Sequence, residues 1–430
     1  MNIHIADEVD GPLRVDFDGA VLKSDPFWEA VICLLRREPL SLFVLIYWFF
    51  CGKARVTREV YDRVRSEAKD LPWNATLLST LREEQNKGRP LHLLTDLPPP
   101  LAERLASEAG LDAAHITALS ETKVTAELAP LAEPRKLSLR VLLSALRIHQ
   151  WLKNTLIAAP FLLTHEVSSI GGWVSVGIAF VSFSLTASAV YLLNDLIDLP
   201  SDRAHARKRH RPLPSGELSI PSALKAIVLL LAASISLALL LPVEFAVVLA
   251  SYIAITTLYT TVFKRKLLVD VFVLAALYTT RIVAGTVAVS AAYSFWLLAF
   301  SLFFFLSLAL VKRYSELANE ELAPDVKVAG RGYFPGDMLM IGQAGISSAF
   351  AASLVLALYI ESEAVDGMYT TPWLLWPICP LILYLLLRIW MIARRGEMED
   401  DPLVFLLRDW RSQLICFSGL ILVFFAAVGL

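Results

Sequence analysis

Four oxygen-bearing side chains stand at helical spacing in the segment 191–216. The step from Asp195 to Asp198 is three residues, and the steps from Asn194 to Asp198 and from Asp198 to Asp202 are four. Such steps place side chains on one face of a helix. Three crowded carboxylates repel one another unless a cation lies between them. Hard oxygen ligands suit Mg²⁺, which usually also holds substrate phosphates in such sites. The spacing therefore predicts a Mg²⁺ site for a phosphorylated substrate.

A basic run follows these carboxylates directly and ends at Arg211. Guanidinium and ammonium groups bind phosphate oxygens, so we expect Lys208 and Arg211 to complete a diphosphate pocket. The alternative is a solvated, charge-mixed loop between two membrane helices. Cytoplasmic loops of membrane proteins are normally basic without an ordered acidic array, which favours the pocket.

The composition sets the class of protein around this segment. The chain has 430 residues, of which 56% are hydrophobic, and this indicates an integral membrane protein. A net charge of −2 gives no indication of a nucleic-acid partner. The four cysteines are widely spaced, without metal-ligand spacing, and predict no disulfide framework. The first residues lack the basic start and apolar core of a signal peptide, so we expect a cytoplasmic N-terminus.

Nine apolar runs predict an all-α polytopic domain of about nine transmembrane helices in residues 141–430. Each is near the roughly 20 residues that a spanning helix needs. The runs lie near residues 150–165, 174–193, 222–241, 244–263, 267–289, 293–311, 338–360, 372–392 and 413–430. Lysine and arginine concentrate in alternate loops. By the positive-inside rule we expect the polar site on the cytoplasmic side and the C-terminus outside.

Further polar groups lie at helix ends on the same predicted side. Charged groups inside membrane segments are costly and usually functional, so we expect them to bind substrate. They are Arg147, Lys153, Asn154, Tyr259, Lys264, Arg265, Arg281, Lys312, Arg313, Tyr314 and Glu316. Two structural interpretations stay open: a helix-to-helix ion pair for Asp270, and interfacial anchoring by Trp151 for the string RIHQWLKN.

Residues 1–128 are mixed in polarity and predict a small α/β domain, joined by a linker at 129–140 that contains two prolines. Strands are predicted at Leu13–Phe17 and Leu91–Thr95. The first ends in Asp-Phe-Asp-Gly and the second in threonine.

This pattern resembles the start of haloacid-dehalogenase-type phosphatases. The resemblance implies a nucleophile at Asp16, a general acid at Asp18 and phosphate binding by Thr95. Ala20 stands where that family usually has threonine, and the acidic motif that completes the family's Mg²⁺ site is not visible. We therefore expect a degenerate haloacid-dehalogenase-like domain with a docking role.

The strongly apolar run Leu40–Cys51 lies within this first part. It is far shorter than the roughly 20 residues of a spanning helix. We expect a helix that is buried against the membrane domain or lies at the membrane interface.

The pattern Asn-Asp-x-x-Asp-x-x-x-Asp after the second membrane helix resembles the UbiA superfamily of membrane prenyltransferases, and the string YTTVFKR fits its middle conserved region. The resemblance covers residues 141–430. Four strings resemble in particular the decaprenyl-phosphate phosphoribosyltransferases: RIHQWLKN, ASAVYLLNDLIDLPSDRAHARKRHRPLPSG, LVKRYSEL and LLRDWRSQ. Ordinary aromatic prenyltransferases carry a second Asp-rich motif in the region where Lys312, Arg313, Tyr314 and Glu316 stand here.

The resemblance implies a Mg²⁺-dependent transferase of a bacterial inner membrane that displaces diphosphate, with Asp195, Asp198, Asp202 and Lys153 as catalytic residues. The favoured reaction is transfer of 5-phosphoribosyl from phosphoribosyl diphosphate to a polyprenyl phosphate. The alternative is prenyl transfer from a polyprenyl diphosphate to an aromatic or other small acceptor, on which Asp270 would act. A non-enzymatic transporter would more often show internal repeats and helices broken at the midplane, and the sequence shows no convincing repeat.

Overall fold

The computed structural model describes residues 13–429 apart from 19, 39, 65–70, 96, 113–114, 119–137, 165–167, 206, 320–324, 329–330 and 399–400. Most of the predicted linker at 129–140 therefore lies outside the described residues. The chain divides into two compact units, Met1–Arg147 with Tyr191–Leu229, and Ile148–Val190 with Leu230–Leu430.

The first unit contains a three-stranded parallel sheet in the order β1-β2-β3. The strands are β1 (Leu13–Asp16), β2 (Leu91–Thr95) and β3 (His115–Ala118). β2 has the predicted bounds, and β1 ends one residue before its predicted end. Val15, Phe17 and Leu93 are fully buried in the core of this sheet, because alternate side chains of a strand point to the same face.

Eight short helices lie in the part of the chain up to Ala204, and all but one of them belong to the first unit. They are α1 (Pro26–Arg37), α2 (Ser41–Phe50), α3 (Lys53–Arg63), α4 (Ala75–Asn86), α5 (Pro99–Glu108), α6 (Leu139–Ala145), α7 (Ala158–Leu163) and, after the long helix α8 (Ile170–Ile197), α9 (Leu199–Ala204). α7 lies in the second unit. α1 begins at a proline and is capped by the carboxylate of Asp25, which accepts a hydrogen bond from the Phe27 amide at 2.9 Å.

The remaining helices are mostly long and apolar. They are α10 (Ile220–Ala238), α11 (Val243–Thr261), α12 (Val269–Ala288), α13 (Phe295–Ala318), α14 (Met338–Ile360), α15 (Glu363–Asp366), α16 (Ile378–Arg394), α17 (Pro402–Arg408) and α18 (Trp410–Val428). Among the described residues, eight helices are long and apolar enough to cross a membrane: α8, α10 to α14, α16 and α18. They correspond to eight of the nine predicted runs.

The first predicted run, 150–165, differs from the prediction. It forms a 3₁₀ helix, Ile148–Ile157, followed by the six-residue α7. Lys153 and Asn154 are buried within it and satisfied by side chains of other helices. The backbone also lies very close to α12, since a Cβ atom added at Gly285 would be 2.0 Å from the carbonyl oxygen of Ile157. Hydropathy averaged over the run does not reveal these constraints.

Candidate active site

The predicted carboxylates lie where α8 ends and α9 begins. The amide of Asp198 donates to the carbonyl of Asn194, and the amide of Asp202 donates to that of Asp198, both at 2.9 Å. The chain therefore stays close to helical across the break between the two helices. Asp195 and Asp202 are buried, and both accept from the same Nη1 atom of Arg211, at 3.3 and 2.7 Å. Arg211 thus joins Asp195 and Asp202, two members of the predicted array, while the metal site itself stays a prediction.

Two further predicted cations lie against the same carboxylates. Arg147 donates to Asp195, and the Lys208 ammonium is 3.6 Å from Asp202. Arg147 has a φ of 50°, which is uncommon for a residue with a side chain. Its guanidinium stacks over the Tyr191 ring, 5.1 Å from the centroid. This cluster thus contains a strained backbone position of the kind that concentrates at functional sites.

The donor set of this cluster fits a hard divalent cation. Within the described ranges, no three His, Cys, Asp or Glu side chains converge closely enough to hold a metal ion. However, Asp195 and Asp202 already share one cationic nitrogen, and the Asn194 Oδ1 atom is buried without a hydrogen-bond partner. Carboxylate and amide oxygens are the ligand types that Mg²⁺ prefers.

The second unit contains a cluster of two lysines around one carboxylate. The Lys153 and Lys312 ammonium groups lie 2.9 and 3.0 Å from Oδ2 of Asp401, and the Tyr278 hydroxyl donates to its Oδ1 at 3.0 Å. Burial by itself raises the pKa of Asp401, but the charges of both lysines outweigh burial and hold that pKa well below its usual range. The sequence predicted both lysines as phosphate ligands, and the structure brings them together.

Sequence reasoning missed Asp401. It lies in a predicted cytoplasmic loop, directly before Pro402 at the start of α17, and its side chain accepts from the Leu403 amide at 3.2 Å. Asp-Pro is a recognisable helix start. That signal explains the helix cap and gives no indication of the two lysines.

Arg281 is buried between aromatic rings and an amide. Its guanidinium carbon lies 5.3 Å from the centroids of Phe183 and Tyr252 and 5.8 Å from that of Tyr278. Its Nε donates to Asn154 Oδ1 at 2.8 Å. No carboxylate lies within ion-pair distance of Arg281 in the part of the chain that the structure describes. A buried cation without a carboxylate partner is suited to an anionic ligand.

Asp270 has the predicted alternative arrangement, a helix-to-helix ion pair. It is fully buried on α12 and accepts hydrogen bonds from Arg313 on α13 and from the Tyr333 hydroxyl. Arg313 also donates to Glu316, which in addition pairs with Arg331 at 3.0 Å. Arg313 and Glu316 are therefore engaged in a network that ties two membrane helices together.

The other predicted site residues of the second unit lie outside these clusters. The Tyr259 hydroxyl accepts from Arg331 at 3.5 Å, and the Tyr314 ring packs edge-on against Trp390. Lys264 and Arg265 belong to a 3₁₀ turn, Phe263–Arg265, between α11 and α12. Among these residues, Arg265 is exposed.

The three phosphatase-like residues of the first unit lie together at the carboxyl ends of β1 and β2. The Thr95 hydroxyl donates to both oxygens of Asp18, at 3.0 and 2.9 Å. The Asp18 amide donates to Asp16 Oδ1 at 3.0 Å. Parallel strands bring their carboxyl ends to one edge of a sheet, where α/β proteins bind ligands.

Comparison with known proteins gives a family for the membrane part. The sequence profile of the UbiA prenyltransferase family matches residues 155–410. The uncharacterized protein y4nM of Sinorhizobium fredii is 33% identical over 460 aligned positions, covering 94% of this chain and 89% of that protein. The decaprenyl-phosphate phosphoribosyltransferase of Mycolicibacterium smegmatis is 35% identical over 209 positions, covering 47% of this chain and 65% of that protein.

A solved structure shows the same fold. A UbiA homologue from Archaeoglobus fulgidus, bound to GPP and Mg²⁺, superposes with a TM-score of 0.51 and 18% identity. The match covers 67% of this chain and 99% of that chain. The family profile over residues 155–410 confirms the predicted UbiA resemblance for the membrane domain, and this structure agrees with it in fold.

Proposed function

The chain belongs to the UbiA prenyltransferase family of multi-pass membrane enzymes, and on that premise we propose that it transfers 5-phosphoribosyl from phosphoribosyl diphosphate to a polyprenyl phosphate. We place the reaction at the cytoplasmic face of a bacterial inner membrane, because basic residues concentrate in alternate loops. The similarity to a decaprenyl-phosphate phosphoribosyltransferase supports this substrate pair.

The reaction exchanges one carbon–oxygen bond for another. A phosphate oxygen of the polyprenyl phosphate bonds to the anomeric carbon of the ribose, while the bond from that carbon to diphosphate breaks and diphosphate leaves with the electron pair. The acceptor is already ionised, so the step needs no general base. The barrier depends on stabilising charge that develops on the leaving group.

The observation that carries the proposal is the convergence of Lys153 and Lys312 on Asp401. The carboxylate cluster already has its own cations, Arg147 and Arg211. Phosphoribosyl diphosphate carries a phosphate beyond its diphosphate, and the acceptor carries another. The two lysines share one carboxylate, so this cluster keeps one net positive charge for an additional phosphate, a demand that a simple prenyl diphosphate would not make.

Mg²⁺, when bound, would neutralise the charge that develops on the departing diphosphate. Asp195, Asp198 and Asp202 would hold it, with Asn194 orienting the metal or the ribose. Arg211 would exchange its carboxylate contacts for diphosphate oxygens. Lys208 and Arg147 lie on the same carboxylates and would do the same.

The remaining predicted residues have proposed roles in binding substrate or in supporting the site. Lys153 and Lys312 would hold phosphate groups, and the buried Arg281 with Asn154 would bind a further anionic oxygen. Arg313, Glu316 and Tyr314 would support the site through helix packing. Tyr259, Lys264 and Arg265 lie at the end of α11 and in the turn that follows, and would contact substrate from there.

For the first unit we propose a degenerate haloacid-dehalogenase-like domain. The parallel sheet and the contacts among Asp16, Asp18 and Thr95 support the relationship. Ala20 and the missing acidic motif support a docking role without phosphatase activity.

The second candidate reaction is prenyl transfer to an aromatic or other small acceptor. The observation that favours it is the fold shared with a UbiA homologue bound to GPP. The ion pair of Asp270 with Arg313 disfavours the role that this reaction would give to Asp270 as a group acting on the acceptor.

Diphosphate release by the purified, detergent-solubilised protein distinguishes the two reactions. We expect release that requires Mg²⁺, polyprenyl phosphate and phosphoribosyl diphosphate together. Release from polyprenyl diphosphate with an aromatic acceptor such as 4-hydroxybenzoate, and none from the first pair, would replace this proposal with prenyl transfer.

A further inference from the structure

Helix α2 exposes a stripe of large apolar side chains. Phe43 is 71% exposed and Phe50 is 88% exposed, while Leu42, Ile46 and Tyr47 are about half exposed. Positions 43, 46, 47 and 50 lie three or four residues apart, so they form one continuous face of the helix. Among the described residues of the first unit, none covers the stripe.

The opposite face of α2 is packed and fixes the helix. Leu45 and Trp48 are 3% and 4% exposed. They pack in one apolar cluster with Leu34 of α1 and with Val56 and Val60 of α3. The outward stripe is therefore held in place by a core and is a stable feature of the surface.

Soluble surfaces rarely carry an apolar patch of this kind without a partner. This chain belongs to a membrane-embedded family, so a lipid surface is always available to it. α2 has ten residues, half of the roughly 20 that a spanning helix needs. A helix of this length with one strongly apolar face lies in the plane of the membrane interface.

The charges beside α2 fit an anionic lipid surface. Arg36 and Arg37 form the last turn of α1, and Arg55 follows α2 with its guanidinium 5.8 Å from the Tyr47 ring. Basic groups that flank an interfacial helix are attracted to anionic headgroups. The acidic groups at the end of α1 and in α3 are Glu38, Glu59, which pairs with Arg63 at 4.0 Å, and Asp62, which pairs with Arg58 at 3.8 Å.

We propose that α2 lies in the headgroup region of the bilayer, with Phe43, Ile46 and Phe50 at the acyl-chain boundary and the flanking arginines on anionic lipid. The N-terminal part of the first unit would thereby have a membrane contact of its own, in addition to the spanning helices. This inference rests on membership of a membrane family and does not depend on the reaction proposed above.

Depth-dependent fluorescence quenching in lipid nanodiscs tests this placement in the full-length protein. The four native cysteines, Cys33, Cys51, Cys379 and Cys416, are first replaced by alanine. Single cysteines at Phe43→Cys, Ile46→Cys and Phe50→Cys are then labelled with bimane. Glu103→Cys, an exposed position of α5 in the same unit, is the matched control.

We expect lipids spin-labelled near the headgroup to quench the three α2 probes several-fold more than the control probe. Aqueous iodide should show the reverse order. Nanodiscs with anionic lipid should shift α2 probe emission further to the blue than nanodiscs of phosphatidylcholine alone.

Two results would overturn the proposal. Iodide quenching of the α2 probes equal to that of the control would place the stripe in water. Shielding of these probes from both quenchers would mean that protein, such as a second copy of the chain, covers the stripe. The labelled side chains point outward, so their replacement should not disturb the fold. Three independent sites also ensure that one misfolded variant would not decide the result.

Discussion

Arg203 and Glu29 form a bidentate ion pair, although 174 positions separate them in the chain. The Nη1–Oε2 and Nη2–Oε1 distances are 3.0 and 2.6 Å, and both side chains are largely buried. Ser24 donates to the same carboxylate, and Arg203 Nε donates to the Pro214 carbonyl at 3.3 Å. Arg203 directly follows Asp202 in α9, so a residue of the N-terminal part fixes the helix that carries a proposed metal ligand.

Replacing one member of this pair should cost both stability and activity. Glu29→Gln keeps the shape but leaves a buried guanidinium without its charge partner, and breaking a buried pair costs about 3–5 kcal/mol. We expect a lower unfolding temperature in detergent and slower diphosphate release. Glu103→Gln, an exposed glutamate of the same unit, is the control. The exchange Glu29→Arg with Arg203→Glu should recover part of both losses, and an unchanged Glu29→Gln protein would contradict the role of the pair.

Asp198→Ala should lower diphosphate release while leaving the fold intact. The substitution removes one of three proposed metal ligands, and losing an electrostatic contact to developing charge typically costs about 10²–10³ in rate. Steady-state assays across a Mg²⁺ titration measure the effect. Glu217→Ala, an exposed acid that follows the same basic segment, should behave as wild type. Near wild-type turnover of Asp198→Ala would show that this segment does not hold the catalytic metal.

The sequence predicted the carboxylate cluster because its members are close along the chain. Steps of three and four residues determine which side chains share a helix face, and the structure accordingly brings Asp195 and Asp202 onto one arginine. Arg147 lies 48 positions before Asp195 and was predicted as a substrate ligand because it belongs to the polar string RIHQWLKN. Its contact with Asp195 could not be derived from the sequence.

Contacts between distant helices could not be predicted in this way. Asp270 and Arg281 share a face of α12, yet Asp270 pairs with Arg313 and Arg281 with Asn154. The meeting of two lysines at Asp401 likewise depends on how three separate segments pack. Spacing along one helix carries no information about which residues of other helices it contacts. These ion-pair and hydrogen-bond partners therefore cannot be deduced from a single sequence.

Lys153→Gln should raise the KM for phosphoribosyl diphosphate more than it lowers kcat. The ammonium group lies at a phosphate-binding position in the proposal, and losing a charged hydrogen bond costs about 1.5–3 kcal/mol, or roughly ten- to a hundredfold in affinity. Lys312→Gln should give a similar change. Lys225→Gln, an exposed lysine of α10, is the control. Equal KM values for all three variants would show that neither Lys153 nor Lys312 binds phosphoribosyl diphosphate.

The stability contributed by Asp401 should depend on pH in a defined direction. Its pKa in the folded protein lies below the value of about 3.9 in an unfolded chain. A carboxyl with a lowered folded pKa stabilises the fold above its unfolded pKa, and this contribution is lost as the pH falls through the folded pKa. We therefore expect Asp401→Asn to be less stable than wild type at pH 5–8, with the difference shrinking below about pH 4. Thermal unfolding in detergent between pH 3 and 8 measures it, and a constant difference would contradict the ion-pair origin.

The first unit should lack phosphatase activity despite its contacts between Asp16, Asp18 and Thr95. The Thr95 hydroxyl is already bound to the Asp18 carboxylate, and the acidic motif that completes the Mg²⁺ site of the resembling phosphatases is missing from the sequence. A nucleophilic aspartate without its metal cannot neutralise the charge of an incoming phosphate. We expect no hydrolysis of p-nitrophenyl phosphate or of the lipid-linked sugar phosphate, and unchanged diphosphate release in Asp16→Asn. Phosphate release that is present in wild type and absent in Asp16→Asn would instead make the unit a second enzyme acting on the transferase product.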